Sequence, residues 1–140
     1  MEIEKTIFSK IIDREIPANI VYEDDMVIAF LDINPVTPGH TLVVPKKVFV
    51  NIFDGDSDYL SQMMVVASKI GQALKQAKLA EGVNLMMSNE TIAGQEIPHA
   101  HLHIIPRFAG DGVDFSQSHQ TYTDSEANEV SKKIISHLDN

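Results

Sequence analysis

Residues 97–105 read Ile97-Pro98-His99-Ala100-His101-Leu102-His103-Ile104-Ile105. Three histidines occupy alternate positions, with Ala100, Leu102 and Ile104 between them. On a β-strand, successive side chains point to opposite faces, so the pattern places three imidazoles on one side and three apolar groups on the other. A helix would turn each histidine roughly 200° from the one before it and scatter them. The stretch is therefore expected to be a strand over 98–105, anchored by its apolar face. Half of the chain's six histidines fall within these five positions.

Working outward, the 140-residue length suits one domain over 1–140. The chain has no cysteine. Disulfides, thiolate nucleophiles and thiolate metal sites are thereby excluded, and a reducing compartment suits the composition. The N-terminus lacks a basic-then-apolar signal, and no apolar run approaches membrane length, so a cytoplasmic protein without membrane contact is expected. The net charge of −9, with no basic stripe, argues against a nucleic-acid partner. It does not exclude a small phosphorylated ligand held by backbone amides and a few histidines.

The spacing predicts a short amphipathic helix over 6–14, with Phe8, Ile11 and Ile12 on one face and Pro17 as its stop. Residues 20–23 and 26–31 flank Asp24-Asp25 as a hairpin. A turn-rich segment over 34–39 leads into a strand over 40–45. A long helix is expected over 57–80, capped within Asp56-Ser57-Asp58 and ended by Gly82. A strand over 83–88 and a polar loop over 89–96 precede the histidine row. Thr123-Asp124-Ser125-Glu126 resembles a capping box opening a terminal helix to about Leu138. The element order predicts an α+β domain, an antiparallel sheet of about five strands with helices packed on it.

Alternate strand residues lie about 6.5–7 Å apart, which suits a ligand lying along the strand better than three bonds converging on one ion. No metal and no cofactor are expected, although His40 or a carboxylate would be the natural completion of such a site. Neutral imidazole is a nitrogen nucleophile near pH 7, and it can attack phosphorus and leave again. A second imidazole can donate to a phosphoryl oxygen while a third orients the first. Gly94-Gln95-Glu96, just before the row, offers backbone N–H groups to an anion.

At these residues the chain resembles the histidine triad family. The family signature, His-φ-His-φ-His-φ-φ with φ apolar, is complete as His99-Ala100-His101-Leu102-His103-Ile104-Ile105. The resemblance extends over roughly residues 6–107 and looks like the Hint-like branch; it does not take in the extension over about 110–140. The resemblance implies a nucleotide hydrolase or transferase that acts on the α-phosphate of a nucleoside phosphoramidate, an adenylylated compound or a dinucleoside polyphosphate through a nucleotidyl-histidine intermediate, releasing a nucleoside monophosphate. His101 falls on the nucleophile, and His103 on a phosphate contact. His99 falls on an orienting histidine that pairs with His40. Asp32, beside Ile33, falls on the ribose carboxylate. Phe8, Ile11 and Phe30 match positions that sandwich the base, and they read equally well as core. Asn89 and Gly94-Gln95-Glu96 match a phosphate loop. A purine nucleotide or nucleoside phosphoramidate is the implied ligand, and a homodimer the implied assembly.

The chain departs from the family pattern in two places. The positions at which some members hold structural zinc are Thr6, Ser9 and Val48 here, so no zinc is expected there. Glu96 stands where a hydroxyl commonly contacts the leaving group, and a carboxylate there either donates a proton or repels a second phosphate. The alternative to an enzyme is a nucleotide-binding regulatory module with the same pocket and little turnover.

Overall fold

Two strands carry apolar residues at consecutive positions, which requires a sheet covered on both faces. They are β2 (Val27–Leu31) and β3 (Thr41–Pro45), and both are buried almost throughout. β1 (Ile20–Glu23), β4 (Gly82–Met86) and β5 (Leu102–Arg107) complete a five-stranded antiparallel sheet of order β1-β2-β3-β5-β4. The computed structural model describes residues 5–138. Residues 1–4 and 139–140, the ends of the expected 1–140 unit, lie outside the described residues. No helix among the described residues is long and apolar enough to cross a membrane.

Alternation sorts the sheet's side chains into two cores. Val27, Ala29, Val43, Leu102 and Ile104 face α2 (Ser57–Gln76), packing against Met63, Val66, Ala67, Ile70 and Leu74. Ile28, Phe30, Leu42 and Val44 face the other way, against Phe8 and Ile11 of α1 (Ile7–Ile12). At 1.5 Å per residue, α2 is about 30 Å long and α1 about 9 Å. The longer helix spans its face, whereas α1 covers only part of the other. The uncovered remainder of that second face is the floor of a cleft.

Register decides what the floor contains. Phe30 pairs with Leu42, Leu42 with His103, and His103 with Met86. Paired residues point to the same face, so these four form a row across the sheet, and all of them line the cleft. Gly39 delivers the chain into β3 at φ +91°. A Cβ there would sit 3.3 Å from both Leu74 Cδ2 and Pro106 Cγ, so backbone conformation and space both favour glycine.

Several boundaries differ from the expected ones. The histidine strand starts at Leu102, not at 98. Pro98 has no N–H to give, the His99 N–H is spent on the Ile97 carbonyl, and the Ala100 N–H turns to the Phe49 carbonyl. Only His103 of the three is therefore on a strand. α1 ends at Ile12, with Arg14 at φ 64°, before Pro17 is reached. α2 ends at Gln76 rather than near 80, and Lys78, not Gly82, is its left-handed cap. The bonds Lys78 N–H to Lys75 O (3.0 Å) and Leu79 N–H to Leu74 O (2.8 Å) close a Schellman motif there. The terminal helix α3 (Glu126–Ser136) forms, and Glu126 reaches back to the Thr123 N–H as a capping box requires. Ser125 nevertheless makes no side-chain cap, and no α3 residue is buried.

The β1–β2 hairpin closes on one carboxylate. Asp24 accepts from the N–H groups of Met26 (2.7 Å) and Val27 (2.8 Å), from the Tyr22 hydroxyl and from the Gln62 amide on α2 (2.9 Å each). Partial burial opposes its ionisation, but these donors outweigh that and bring its pKa down to about 2. A carboxyl held below its unfolded value stabilises the fold above that value and loses the contribution as pH falls through the folded one. Stability carried by Asp24 should therefore disappear between about pH 4 and pH 2. At neutral pH, Asp24→Ala should cost about 2 kcal/mol in denaturant unfolding, and the acid sensitivity of the remaining stability should flatten across that interval.

Candidate active site

The cleft has a volume of about 560 Å³, within the usual span for a small-molecule site. α1 supplies Phe8 and Ile11 to one wall, and the segment after β2 supplies Asp32 and Ile33. His40 enters at the head of β3, and His101 and His103 rise from the entry to β5 and from β5 itself. Gly94 and Glu96 come from the loop before the histidine row. Of the residues expected at a ligand site, Phe8, Ile11, Phe30, Asp32, Ile33, His40, Gly94, Glu96, His101 and His103 are thus brought to one cavity. Phe8, Ile11 and Phe30 are also core residues of the α1 face, so the two readings of these positions coexist.

Three expected residues sit elsewhere. The Asn89 side chain accepts from the Ile52 N–H and donates to the Met87 carbonyl. Gln95 is buried, and its amide is consumed by Asn51, the Glu90 N–H and the Val50 and Ile97 carbonyls. These two residues shape the loop rather than face the cavity. His99 is completely buried and does not line the cleft. Nor does it pair with His40, whose partner is His103 at 2.9 Å. Register is the reason: Leu42 pairs with His103, so His99 lies four positions further along, beside the Pro45 carbonyl and Phe8 rather than beside His40.

Hydrogen bonds to the backbone assign the ring protons. A carbonyl only accepts, so the 2.7 Å contact from His101 Nδ1 to the His99 carbonyl places the proton on Nδ1 and leaves a lone pair on Nε2. The Val36 N–H donates to His40 Nδ1 at 3.0 Å, so the His40 proton is on Nε2. That N–H donates to His103 Nδ1, which leaves the His103 proton on Nε2. The result is one imidazole offering a lone pair beside another offering an N–H, with ring centres 5.0 Å apart.

All of these rings are held neutral. Burial lowers the pKa of His101, and the His99 carbonyl and the Asp32 charge only partly offset it. Burial takes His103 down to about 4, aided by its His101 and His40 neighbours and opposed by Asp32. Burial also lowers His40, against the pull of Asp32. Phe8 packs edge-on against His101 at 5.0 Å and at a tilt against Phe30 at 5.6 Å, joining His101 to an aromatic wall.

Asp32 plays two parts. One carboxylate oxygen accepts from the Asn34 N–H at 2.8 Å and closes the turn; the other lies 3.7 Å from His40 Nε2. Asp32, His40 and His103 bring ligand atoms within 4.8 Å of one another, a grouping that a divalent ion can use in principle. The Val36 N–H weighs against that use. It occupies the His40 Nδ1 lone pair, so Nε2 carries the proton that an incoming ion would have to displace. The arrangement is a pair of imidazoles with an ordered hydrogen bond between them, beside a carboxylate.

Sequence reasoning missed Val36, whose contribution is a backbone N–H with no side-chain signal. It also missed Ser88, Met86, Ile16 and Pro17, which complete the cavity's lining. Met86 was findable only through the strand register.

Comparison with known proteins agrees with this geometry. The HIT domain family profile matches residues 13–110. A purine nucleoside phosphoramidase of Escherichia coli is 43% identical over 106 residues, covering 73% of this chain and 87% of that protein. The crystal structure of a HIT family member from Bacillus subtilis superposes with a TM-score of 0.87 at 38% identity, covering 98% of this chain and 99% of that one. That of a histidine triad nucleotide-binding protein from Candida albicans gives 0.84 at 28% identity, covering 94% and 96%. With its histidine signature, its five-stranded sheet and these matches in agreement, the chain belongs to the HIT family.

Proposed function

We propose that this protein is a nucleotide hydrolase that cleaves nucleoside phosphoramidates through a nucleotidyl-histidine intermediate at His101. The observation that carries the reading is the proton assignment: the Nε2 lone pair of His101 lies in the cleft beside the Nε2–H of His103. The similarity to a phosphoramidase supports the substrate class. In the proposed reaction the base rests against Phe8 and Phe30, and Asp32 receives the ribose hydroxyls. Nε2 of His101 attacks the α-phosphorus, and the bond to the leaving nitrogen breaks with its electron pair. The departing amine takes up a proton from solvent, which the attacking water returns when it adds to phosphorus. His103 donates to a non-bridging oxygen, where charge accumulates. Water then adds to phosphorus, the P–Nε2 bond breaks, and a nucleoside monophosphate leaves with the imidazole regenerated.

Glu96 shapes the choice of leaving group. A carboxylate at the cleft favours an amine and disfavours a second phosphate. A homodimer belongs to the same reading. It is supported by the family resemblance and by the apolar side of α3, where Val130, Ile134 and Ile135 stand exposed.

His101→Ala should lower phosphoramidate turnover on the order of a thousandfold or more while nucleotide binding survives. Mass spectrometry of the wild type mixed with substrate should show a nucleotidyl adduct that the variant lacks. Nucleotide binding by the wild type without adduct or monophosphate would leave a binding module instead. Because burial depresses the pKa of His101, kcat/KM should stay level from pH 8 down to the 6.5 of a free imidazole. It should decline only below that value, where the attacking lone pair is lost to protonation. Glu96→Ser should raise turnover of dinucleoside polyphosphates relative to phosphoramidates by up to about fivefold, as exposed charge pairs allow. An unchanged ratio would remove Glu96 from leaving-group selection.

A further inference from the structure

The first histidine of the row is held by a residue outside the cleft. His99 Nε2 contacts the Pro45 carbonyl at 2.9 Å, so that nitrogen carries the proton. Its Nδ1 is then an acceptor, and its partner at 2.7 Å is the Thr6 hydroxyl. His99 is fully buried, so no solvent can replace that donor. Thr6 is also the N-cap of α1. Its oxygen accepts from the Ser9 N–H at 3.1 Å, while the Ser9 hydroxyl accepts from the Thr6 N–H and lies 3.1 Å from the Thr6 hydroxyl. With the Thr6 proton committed to His99, the Ser9 hydroxyl is the donor in that last contact. Thr6 therefore joins three things: the start of α1, the ring of His99 and, through the carbonyl of the same His99, the Nδ1–H of His101.

We infer that Thr6 is a positioning residue for the nucleophile: its hydroxyl sets the tautomer and orientation of His99, whose carbonyl in turn directs the His101 lone pair into the cleft. The catalytic part of this inference rests on the hydrolase reading above; the tautomer part does not. Without the Thr6 donor, His99 has a buried, unpaired Nδ1. It relieves this by turning its ring or by moving its proton to Nδ1, which breaks the bond to Pro45. Either adjustment shifts the residue whose carbonyl holds His101. α1 moves too, and with it Phe8, which packs edge-on against both rings at 5.7 Å from His99 and 5.0 Å from His101.

The test uses Thr6→Val, Thr6→Ser and Ser9→Ala in the full chain, read by ¹⁵N NMR of the histidine rings and by phosphoramidate kinetics. Thr6→Ser should retain the wild-type ring signals and rate. Ser9→Ala weakens the cap but leaves the Thr6–His99 bond, so it should lower the melting temperature with the His99 signals intact. Thr6→Val should displace the His99 signals from the Nε2–H form, mix the His101 tautomers and lower kcat about tenfold, with a smaller change in KM. Should Thr6→Val not fold, Thr6→Asp preserves a cap acceptor while withdrawing the donor, and the same ring shifts are expected. Ring signals of His99 and His101 that remain wild-type in the donor-lacking variants would overturn the inference. So would an altered His99 with unchanged kcat. Absence of turnover in every form, wild type included, would count against the hydrolase reading alone, because the ring signals are read without substrate.

Discussion

Leu42 lies between Phe30 and His103 across the three central strands, and the rest of the site follows from that register. A slip of one residue would exchange the faces of β3 and send its neighbours into the wrong core. The same slip in β5 would point His103 at α2, among Met63, Val66 and Ile70, where an imidazole has no partner. The register is held because both faces of β2 and β3 are buried, so any slip exposes one apolar set while crowding another. The geometry of the cleft is in this sense a by-product of core packing on the α2 side.

The cleft exists because the two helices are unequal. α2 covers its face of the sheet, and α1 stops after six residues. The sheet surface that α1 leaves open is apolar at Phe30 and Leu42 and polar at His103, a combination suited to a flat base beside a phosphate. The same short helix presents Phe8 to His101, and its cap Thr6 to His99, so the aromatic wall of the cleft and the support of the buried histidine begin on one turn.

Backbone groups do most of the chemical ordering. The His99 carbonyl orients His101, the Val36 N–H orients His40, and the Pro45 carbonyl orients His99. Burial then keeps the rings neutral, so each offers one donor and one acceptor rather than a charge. A carbonyl or amide is well suited to this task because it cannot change its own protonation state.

From the sequence alone, the α+β class, the hairpin at Asp24, the long helix and the cluster of histidines were all legible, because each depends on local periodicity or turn chemistry. The gathering of Phe8, Phe30, Asp32 and His40 with His101 and His103 was legible through family resemblance, and the folded chain does bring them to one cavity. Where each ring of the row sits and which partner it takes was not. Alternation makes His99, His101 and His103 look equivalent, yet Pro98 and the turn at His99 take the first two off the strand. His99 is buried against Thr6, ninety-three positions away in the chain, and the β3–β5 register brings His40 to His103 instead. Local sequence determines which residues can bear a proton. Only the tertiary structure decides where each proton resides, because that depends on which distant carbonyl, amide or hydroxyl the fold brings to each ring nitrogen.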